Sequence, residues 1–522
     1  MNKLTRITAA AGAVSVLGLL AACGGGGSTS GSADTTELQM AYTSQPATLD
    51  AHSSTAEATF DFMRGVYQGL VSLDMDQMPQ PQLAESIDHN EDYSEYTFHL
   101  RDVTFHDGSA LDSQDVIDSL ERWFGLAPAG KFFENVELTA PDEKTVVMTS
   151  PEPFYAALTL LANNQNQFPA ITTSEAVASA GTEGLTEFIG TGPYKYVEWK
   201  QDQFFHVEKF EDYVAPENDF TGGAAPAAPV YDDIYINIVP DASTRISGLQ
   251  TGEYDIVSHV DFDQVEQAEG GGNARVEVFQ KGLSGMTFNK KEGSPMASED
   301  LRQAVLASLD MEAIMMGAFG SEEWFGVDAG LATPEQPAWH TDAGGENYNK
   351  PDPARAQQLM DAAGYDNEPI RITVTRDYPD HYNTAIVVEQ QLKAAGFNVE
   401  MVVTDWPTVL DTQNNTMDWE LGFSSWSPQS IPTRYTFMSQ QSAGAIEDRA
   451  FFDAVHAVNF SSSEEDAQAA MAVMQEEFYR FLPMVKFGNK SGAVGISSEI
   501  AEYDIQPGAG SMGIYYNAKP AE

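Results

Sequence analysis

Alternating strand and helix patterns along residues 370–423 constrain the fold most strongly. Short runs of apolar and β-branched residues, typical of buried strands, are separated by segments with helical periodicity. Such alternation predicts a largely parallel sheet covered by helices, and therefore an α/β fold. The predicted strands are Ile370–Thr375, Asn398–Thr404 and Trp419–Phe423, and the predicted helices are Thr384–Ala395, which Gly396 closes, and Pro407–Thr412.

The residues just past these three strands predict a binding cleft, because open α/β sheets bind ligands beyond the carboxyl ends of their strands. They include Arg376 and Tyr378 after the first strand, Trp406 after the second and Trp426 after the third. Aromatic rings supply flat apolar walls and a guanidinium supplies a charge anchor, which is what an organic ligand requires. Core packing is an alternative explanation for Trp406 and Trp426 when each is considered alone.

The first residues have the pattern of an export signal. A basic start precedes the apolar run Ile7–Leu20, which is too short for a membrane span of roughly 20 residues. Residues 20–23, Leu-Ala-Ala-Cys, resemble a bacterial lipobox and contain the only cysteine of the chain. We predict that residues 1–22 are a lipoprotein signal peptide, that Cys23 is lipidated, and that the Gly/Ser-rich residues 23–36 form a flexible tether. An ordinary signal peptide with an incidental cysteine is the alternative.

The charge composition excludes whole classes of partner. The 522 residues include 27 basic and 78 acidic side chains, which give a formal net charge of −51. Such a surface repels nucleic-acid backbones and anionic lipid headgroups, so we expect no nucleic-acid partner and membrane contact through the lipid anchor only. The length allows two or three compact lobes, and 42% hydrophobic residues describe a globular chain.

The stretch TFHLRDVTFHDGSALD contains the adjacent pair His106 and Asp107. Such a pair holds the metal ion of phosphohydrolases, so an extracellular metallohydrolase is one hypothesis. The neighbouring residues favour a structural corner, because Gly108 indicates a turn and Asp112 and Asp115 suit the cap and first turn of a helix. The sequence contains no phosphate loop, nucleophile elbow or zinc helix. We expect no catalytic residue, no metal and no cofactor.

A series of short motifs runs along the whole chain. The motifs are Val66–Val71 (VYQGLV), Pro81–Ser86 (PQLAES), the L-R-x-V-x-F-H-D-G stretch around His106, Ile189–Tyr194 (IGTGPY), Leu249–Ile256 (LQTGEYDI), Phe288-Asn289, Leu301–Ala304 (LRQA) and Pro353–Gly364 (PARAQQLMDAAG). In this order they resemble the family 5 extracellular solute-binding proteins of ABC importers, whose members bind dipeptides, oligopeptides, nickel chelates and related solutes. The complete series is far more specific than any one motif.

The resemblance implies a two-lobed, periplasmic-binding-protein-like α/β fold of type II, in the large cluster with an extra inserted subdomain. Two hinge crossings would join the lobes, near Phe279–Gly285 and near Pro483–Gly492. The implied boundaries are residues 37–55, 190–278 and 490–522 for lobe I, residues 56–189 for its inserted subdomain, and residues 279–489 for lobe II.

The resemblance also suggests roles for single residues. Arg376 is similar to the arginine with which dipeptide-binding members hold the ligand carboxylate. Trp426 is similar to the tryptophan of the family's G-W segment, and three residues later dipeptide binders carry an aspartate for the ligand's α-amino group. Gln429 stands at that position here, which argues against simple dipeptide specificity. Arg434 would add a second cation to the cleft, unless it pairs with a surface carboxylate. The other predicted ligand-binding residues are Ser44, Gln45, Tyr378 and Trp406.

The predicted function is a lipid-anchored, substrate-binding component of an ABC importer, and not an enzyme. A monomer on the outer face of the cytoplasmic membrane would capture a peptide or small carboxylate-bearing organic solute between two closing lobes. It would then deliver this solute to permease subunits driven by cytoplasmic ATPases. A receptor that passes a peptide signal to a partner through the same fold is an alternative, beside the metallohydrolase that would use His106 and Asp107.

Overall fold

A computed structural model describes residues 36–163, 167–181, 184–506 and 510–521. The part of the chain from Thr36 to Glu522 forms one compact unit. The predicted signal peptide, the lipidated Cys23 and all but the last residue of the predicted tether lie outside the described residues. Among the helices that are described, none is long and apolar enough to cross a membrane.

The strands alternate with helices along most of the chain. The described strands are β1 Glu37–Tyr42, β2 Val71–Leu73, β3 Pro79–Pro81, β4 Ala84–His89, β5 Glu95–Leu100, β6 Glu137–Asp142, β7 Thr145–Thr149, β8 Tyr194–Lys200, β9 Phe204–Lys209, β10 Asp233–Ile238, β11 Ile256–Val257, β12 Ala274–Phe288, β13 Phe325–Gly326, β14 Ile370–Thr375, β15 Val399–Thr404, β16 Leu421–Trp426, β17 Met484–Ser497, β18 Ile500–Glu502 and β19 Lys519–Pro520.

The helices include the two predicted within residues 370–423, although both begin earlier than expected. The described α-helices are α1 Glu57–Met63, α2 Ser113–Leu126, α3 Ala157–Leu161, α4 Ser174–Ser179, α5 Ala242–Thr251, α6 Val265–Glu269, α7 Glu299–Ala307, α8 Met311–Phe319, α9 Pro353–Ala363, α10 Pro379–Ala394, α11 Trp406–Asn415, α12 Arg449–Asn459 and α13 Glu464–Phe481. Each helix has a proline in its first turn. Proline is favourable there, because the first backbone N–H groups of a helix have no partner within the helix and proline has no N–H.

Capping side chains set the ends of several helices. Asp112 accepts hydrogen bonds from the backbone of the first turn of α2 and forms a capping box with Asp115, which confirms the predicted corner. Ser298 caps α7 and Asp352 caps α9, and α9 ends at Gly364 in the left-handed conformation. All of these positions are confirmed as the sequence predicts them.

The largest sheet in the described residues has 11 strands, ordered β15-β14-β16-β12-β17-β11-β1-β10-β9-β8, with β13 beside β17. Strands β14, β15 and β16 are parallel, as are β1, β10 and β11. Strand β12 runs antiparallel to both of its neighbours, β16 and β17, and β17 runs antiparallel to β11. The sheet is therefore mixed, and the prediction of a largely parallel sheet is correct only for these two groups of three strands.

Strand β16 begins and ends later than predicted. It covers Leu421–Trp426 instead of Trp419–Phe423, because residues 424–426 pair with residues 283–285 of β12. Pairing with a strand so distant in the sequence leaves no local signal near residue 426. As a result, Trp426 occupies the last position of the strand instead of the loop beyond it.

Strands β12 and β17 connect two apolar cores. In β12, Phe279 packs in one buried cluster and Leu283 in another. In β17, Ile496 belongs to the first cluster and Phe487 to the second. The paired strands therefore pass together from one core to the other, and they remain hydrogen bonded along the way.

A glycine is required where β12 meets the end of β16. The pairing of β12 with β17 shifts register between Gln280 and Gly282. Gly282 has a φ of 141°, and a Cβ at this position would lie 2.1 Å from the carbonyl oxygen of Trp426. Any other residue would push the two strands apart at the position of Trp426.

A smaller four-stranded sheet, ordered β4-β5-β7-β6, packs against α2. The segment after β7 reaches across to the end of α12, where the backbone N–H groups of Tyr155 and Ala156 donate to the carbonyls of Ser461 (3.1 Å) and Asn459 (3.2 Å). Phe154 stacks on Phe460 at 4.6 Å between ring centres. These contacts join the region of the small sheet to the second core.

The His106-Asp107 pair lies in the loop between β5 and α2. His106 Nε2 donates to the carbonyl of Gly192 (2.9 Å), and His106 Nδ1 accepts from the backbone N–H of Gly190 (3.3 Å). Asp107 accepts hydrogen bonds from the backbone and the hydroxyl of Ser109. The hydrogen bonds of both side chains are thus explained by the corner itself, as the sequence context favours.

This corner predicts an acid-sensitive step in stability. Burial lowers the pKa of His106 to about 4. Protonation of Nδ1 would also break the hydrogen bond that it accepts from Gly190. The folded state therefore favours neutral histidine, and this stabilisation is complete above the unfolded pKa of about 6.5 and is lost as pH falls toward 4. His106→Gln retains a donor and an acceptor but does not titrate.

We expect wild-type protein to lose up to roughly 3 kcal/mol more than His106→Gln when the pH is lowered from about 7 to about 4. Urea unfolding followed by tryptophan fluorescence measures the difference. His99→Gln is the matched control, since His99 lies on β5 with 44% of its side chain exposed. Parallel pH profiles for wild type and His106→Gln would contradict the prediction.

Candidate functional site

A cavity of about 1070 Å³ lies between two parts of the chain. One is residues 124–136, which form the end of α2 and the segment after it, and the other is residues 425–460. The volume of the cavity is at the upper end of the range for sites that enclose organic ligands. Ser425 and Trp426 form part of the wall at the end of β16, and Gln429 and Arg434 also line the cavity. The structure thus brings together three of the predicted ligand-binding residues, Trp426, Gln429 and Arg434.

Trp426 is held in a fixed orientation on the cavity wall. Its Nε1–H donates to the hydroxyl oxygen of Thr436 (3.0 Å), and its ring meets the edge of Phe437 at 5.1 Å. Phe437 is itself stacked on Tyr435 at 5.0 Å. A partly exposed indole held in this way supplies a preformed apolar surface to a ligand.

Gln429 provides an amide where a carboxylate would be needed to hold an ammonium group. Its Nε2 donates to the carbonyl of Ser427 (3.1 Å), and its main-chain carbonyl accepts from Gln336 (2.6 Å). The amide is therefore oriented by its own loop, and it carries no charge.

Arg434 ends the short 3₁₀ helix Pro432–Arg434. Its Nη1 is buried and has no hydrogen-bond partner among the described residues. Burial lowers the pKa of Arg434 to about 10, and no described carboxylate counteracts this shift. The alternative left open by the sequence, a pair with a surface carboxylate, does not occur in the described part of the chain.

The opposite wall contributes charged side chains that sequence patterns did not indicate. Lys131 Nζ donates to Gln441 Oε1 (2.6 Å), so it bridges the two sides of the cavity. Glu152 faces His456 at 3.4 Å. These residues were missed because only the packing of residues 154–156 on residues 459–461 brings their segments together, and no local pattern encodes that contact.

Arg376, Tyr378 and Trp406 form a separate group at the ends of β14 and β15. Arg376 Nη2 donates to the hydroxyl of Tyr382 (2.8 Å), and the guanidinium lies over the Tyr382 ring at 4.7 Å. Tyr378 meets the edge of Trp406 at 5.3 Å. None of the three lines the large cavity. The strand ends thus converge as expected, but on a surface other than the cavity wall.

The two residues predicted after β1 lie elsewhere. Gln45 exchanges hydrogen bonds with Asp202 in the turn between β8 and β9, both at 2.8 Å, and Ser44 is exposed. Neither residue lines the large cavity. The role of both residues in binding stays a prediction.

A charged cluster connects the cavity wall to the crossing strands. Asp380 accepts from Ser425 Oγ and from Lys490 Nζ, each at 3.0 Å. Burial raises the pKa of Asp380, but the charges of Lys490 and His381 and the hydrogen bonds from Lys490 and Ser425 together outweigh burial and lower the pKa to about 2. No local sequence pattern predicts this contact, because Asp380 and Lys490 are 110 positions apart.

One group of side chains in the described residues has the spacing of metal ligands. Atoms of Asp328, His340 and Asp342 lie within 4.8 Å of one another. The ammonium of Lys486, which is almost completely buried, lies 3.6 Å from Asp328. The charge of Asp328 is therefore already balanced by the Lys486 ammonium.

The mixed α/β fold is shared with solved structures of binding proteins. The structure of the binding protein AgaA from A. tumefaciens R10, in complex with agropinic acid, superposes with a TM-score of 0.77 over 93% of this chain and 99% of that one, at 24% identity. This likeness shows the fold.

Sequence comparison identifies the family. Residues 78–448 match the pattern of the bacterial extracellular solute-binding proteins, family 5. A probable peptide ABC transporter periplasmic-binding protein, y4tO, of Sinorhizobium fredii is 28% identical over 469 residues, which are 84% of this chain and 86% of that protein. The glutathione-binding protein GsiB of Escherichia coli K12 is 28% identical over 385 residues, 71% of this chain and 70% of GsiB. The chain belongs to family 5 of the bacterial extracellular solute-binding proteins.

Proposed function

We propose that this protein captures a peptide or a small carboxylate-bearing organic solute and delivers it to the permease of an ABC importer. The observation that carries the proposal is the cavity of about 1070 Å³, where Trp426, Gln429 and Arg434 meet. The names of the relatives support the class of solute, because one is a probable peptide-binding protein of an ABC transporter and another binds glutathione.

The lobes would follow the two apolar cores only in part, because the core that contains the lobe II residues also contains buried residues between positions 70 and 171 of the inserted subdomain. Residues 37–55, 190–278 and 490–522 would form lobe I, residues 56–189 its inserted subdomain, and residues 279–489 lobe II. The passage of β12 and β17 from one core to the other supports hinge crossings near Phe279–Gly285 and Pro483–Gly492. Differential affinity of a solute for the closed arrangement would then drive closure.

The protein would act as a monomer on the outer face of the cytoplasmic membrane, attached through lipidated Cys23 and the tether 23–36. The lipobox-like Leu-Ala-Ala-Cys at residues 20–23 supports this anchor. Mass spectrometry of protein extracted from native membranes should find an amino terminus that begins at an acylated Cys23. An unmodified cysteine in that fraction would argue against the anchor.

Trp426 offers a direct test of the solute-capture proposal. Solutes that enter the cavity should change its fluorescence, and peptides, acidic metabolites and sugars can be screened by titration and calorimetry. Trp426→Ala should weaken a bound peptide or acid about tenfold or more, because it removes a preformed apolar wall. Trp199→Phe is the matched control, since Trp199 lies on β8, outside the cavity. A protein that binds none of these solutes would contradict the proposal.

A further inference from the structure

The charges that line the cavity differ in sign from the surface of the molecule. The chain carries a formal net charge of −51. Around the cavity, however, Arg434 and Lys131 face a single carboxylate, Glu152, which is already opposite His456. The described lining therefore has more cationic than acidic side chains, the reverse of the chain as a whole.

Arg434 is the least satisfied of these cations. A guanidinium has five N–H donors, and leaving a buried charged donor unpaired costs more than the 1–3 kcal/mol of a neutral one. Other inward-facing arginines of the described chain show how the protein normally avoids this cost. Arg122 is paired with Asp50 at 2.6 Å, and Arg371 with Glu420 at 2.8 Å. No carboxylate in the described part of the chain pairs with Arg434, although the sequence contains 78 acidic residues.

A second donor stands near Arg434. The Thr436 hydroxyl oxygen accepts from Trp426 Nε1, so its own proton is left for another acceptor. Thr436 and Trp426 both line the same cavity as Arg434. The arrangement joins a planar apolar wall, a hydroxyl donor and a guanidinium whose buried Nη1 has no described partner within one cavity.

We propose that Arg434 binds the anionic group of the transported solute, a carboxylate or a phosphate, with Trp426 against its apolar part. This inference rests on the proposed function and specifies its substrate class. A guanidinium binds either anion through two parallel hydrogen bonds. Gln429 carries an uncharged amide, and Glu152 already faces His456. A free ammonium group on the solute therefore finds no unpaired carboxylate among the described cavity residues. The preferred solute therefore carries net negative charge.

The test uses defined mixtures of short peptides. N-acetylated random tripeptides are prepared with a C-terminal carboxylate, with a C-terminal amide, and as amides that carry a phosphoserine. Each mixture is incubated with the purified protein after unfolding and refolding to remove endogenous solute, and retained peptides are quantified by mass spectrometry. We expect retention of the carboxylate or the phosphoserine mixture at least about tenfold above the amide mixture. The arm that is retained identifies the anion.

Substitutions assign the effect to one arginine. Arg434→Gln should remove the preference for the anionic mixture, whereas Arg434→Lys should restore it in part, because it keeps the charge without the paired donors. Arg449→Gln is the matched surface control, since the Arg449 side chain is 88% exposed.

The stability of the solute-free variant provides an independent readout. Arg434→Gln should melt at the same temperature as wild type or higher, because it removes an unpaired buried charge. A lower melting temperature would indicate a structural role and contradict the proposal.

Each outcome of the retention experiment is decisive. Retention of the amide mixture equal to that of both anionic mixtures, or an unchanged anion preference in Arg434→Gln, overturns the anchor but leaves solute capture intact. Failure to retain any mixture overturns the anchor as well. If titration with the wider solute screen is also negative, the proposed function itself is contradicted.

Discussion

Arg302→Met should lower the free energy of unfolding by about 2–5 kcal/mol, because it leaves two buried backbone carbonyls without a donor, at a cost of about 1–3 kcal/mol each. Arg302 lies on α7 and is completely buried. Its Nη2 donates to the carbonyl of Phe481 (2.6 Å) and its Nη1 to the carbonyl of Met296 (2.9 Å). The guanidinium also lies 5.3 Å from the centre of the Phe481 ring. Methionine fills the space of the aliphatic stem but leaves both carbonyls without a donor.

Urea unfolding monitored by circular dichroism measures this loss. Arg449→Met is the matched control, and a change within about 0.5 kcal/mol is expected because the side chain of Arg449 is mostly exposed. A loss of less than about 1 kcal/mol in Arg302→Met would show that the carbonyls find other partners and that the network is not required. The position matters for the site, because Phe481 lies just before β17, one of the two strands that connect the cores.

Asp380→Ala should destabilise the protein by about 3 kcal/mol, because it leaves Lys490 partly buried without its carboxylate. Loss of the carboxylate would also leave the positive charges of Lys490 and Lys281 to repel each other without the charge of Asp380 to offset them. The neutral isostere Asp380→Asn retains the shape and should lose somewhat less. Both losses are measurable as shifts of the urea midpoint near neutral pH.

The pH dependence of the same pair has a defined sign. The pKa of Asp380 is lowered to about 2, so the ion pair stabilises the folded state above the unfolded pKa of about 3.9 and the stabilisation is lost as pH falls toward 2. Asp453→Asn, in an exposed pair with Arg449, is the matched control and should show little change. Equal stability of Asp380→Ala and wild type at neutral pH would contradict the prediction.

Features that depend on neighbouring residues were predictable from the sequence. The caps Asp112, Ser298 and Asp352 and the left-handed Gly364 each act within a turn or two of their own position, and each was predicted correctly. The end of β16 was not, because it is set by pairing with β12, more than a hundred residues earlier in the chain. Local pattern determines where an element can begin, whereas distant pairing determines how far it continues.

The candidate site divides in the same way. Trp426, Gln429 and Arg434 lie within one short segment, so a resemblance of that segment sufficed to predict them together, and they line one cavity. Strand ends also predicted Arg376, Tyr378 and Trp406, but Tyr378 and Trp406 contact each other, Arg376 contacts Tyr382, and none of the three lines the cavity. Lys131 and Glu152 could not be predicted, because their segment reaches the site only through tertiary packing.

The continuous pairing of β12 with β17 limits how the two cores can change their relative orientation. Two separate linkers could swivel about single bonds, but a two-stranded ribbon can only twist or bend as a unit while its ladder remains intact. The register shift between Gln280 and Gly282 interrupts that ladder at Lys281, close to Trp426. We expect bending to concentrate at this shift and at the second one, between Ser284 and Gly285, which pair with the end of β16 at the cavity wall. The flexibility of the molecule and the geometry of its solute cavity would then depend on the same few residues.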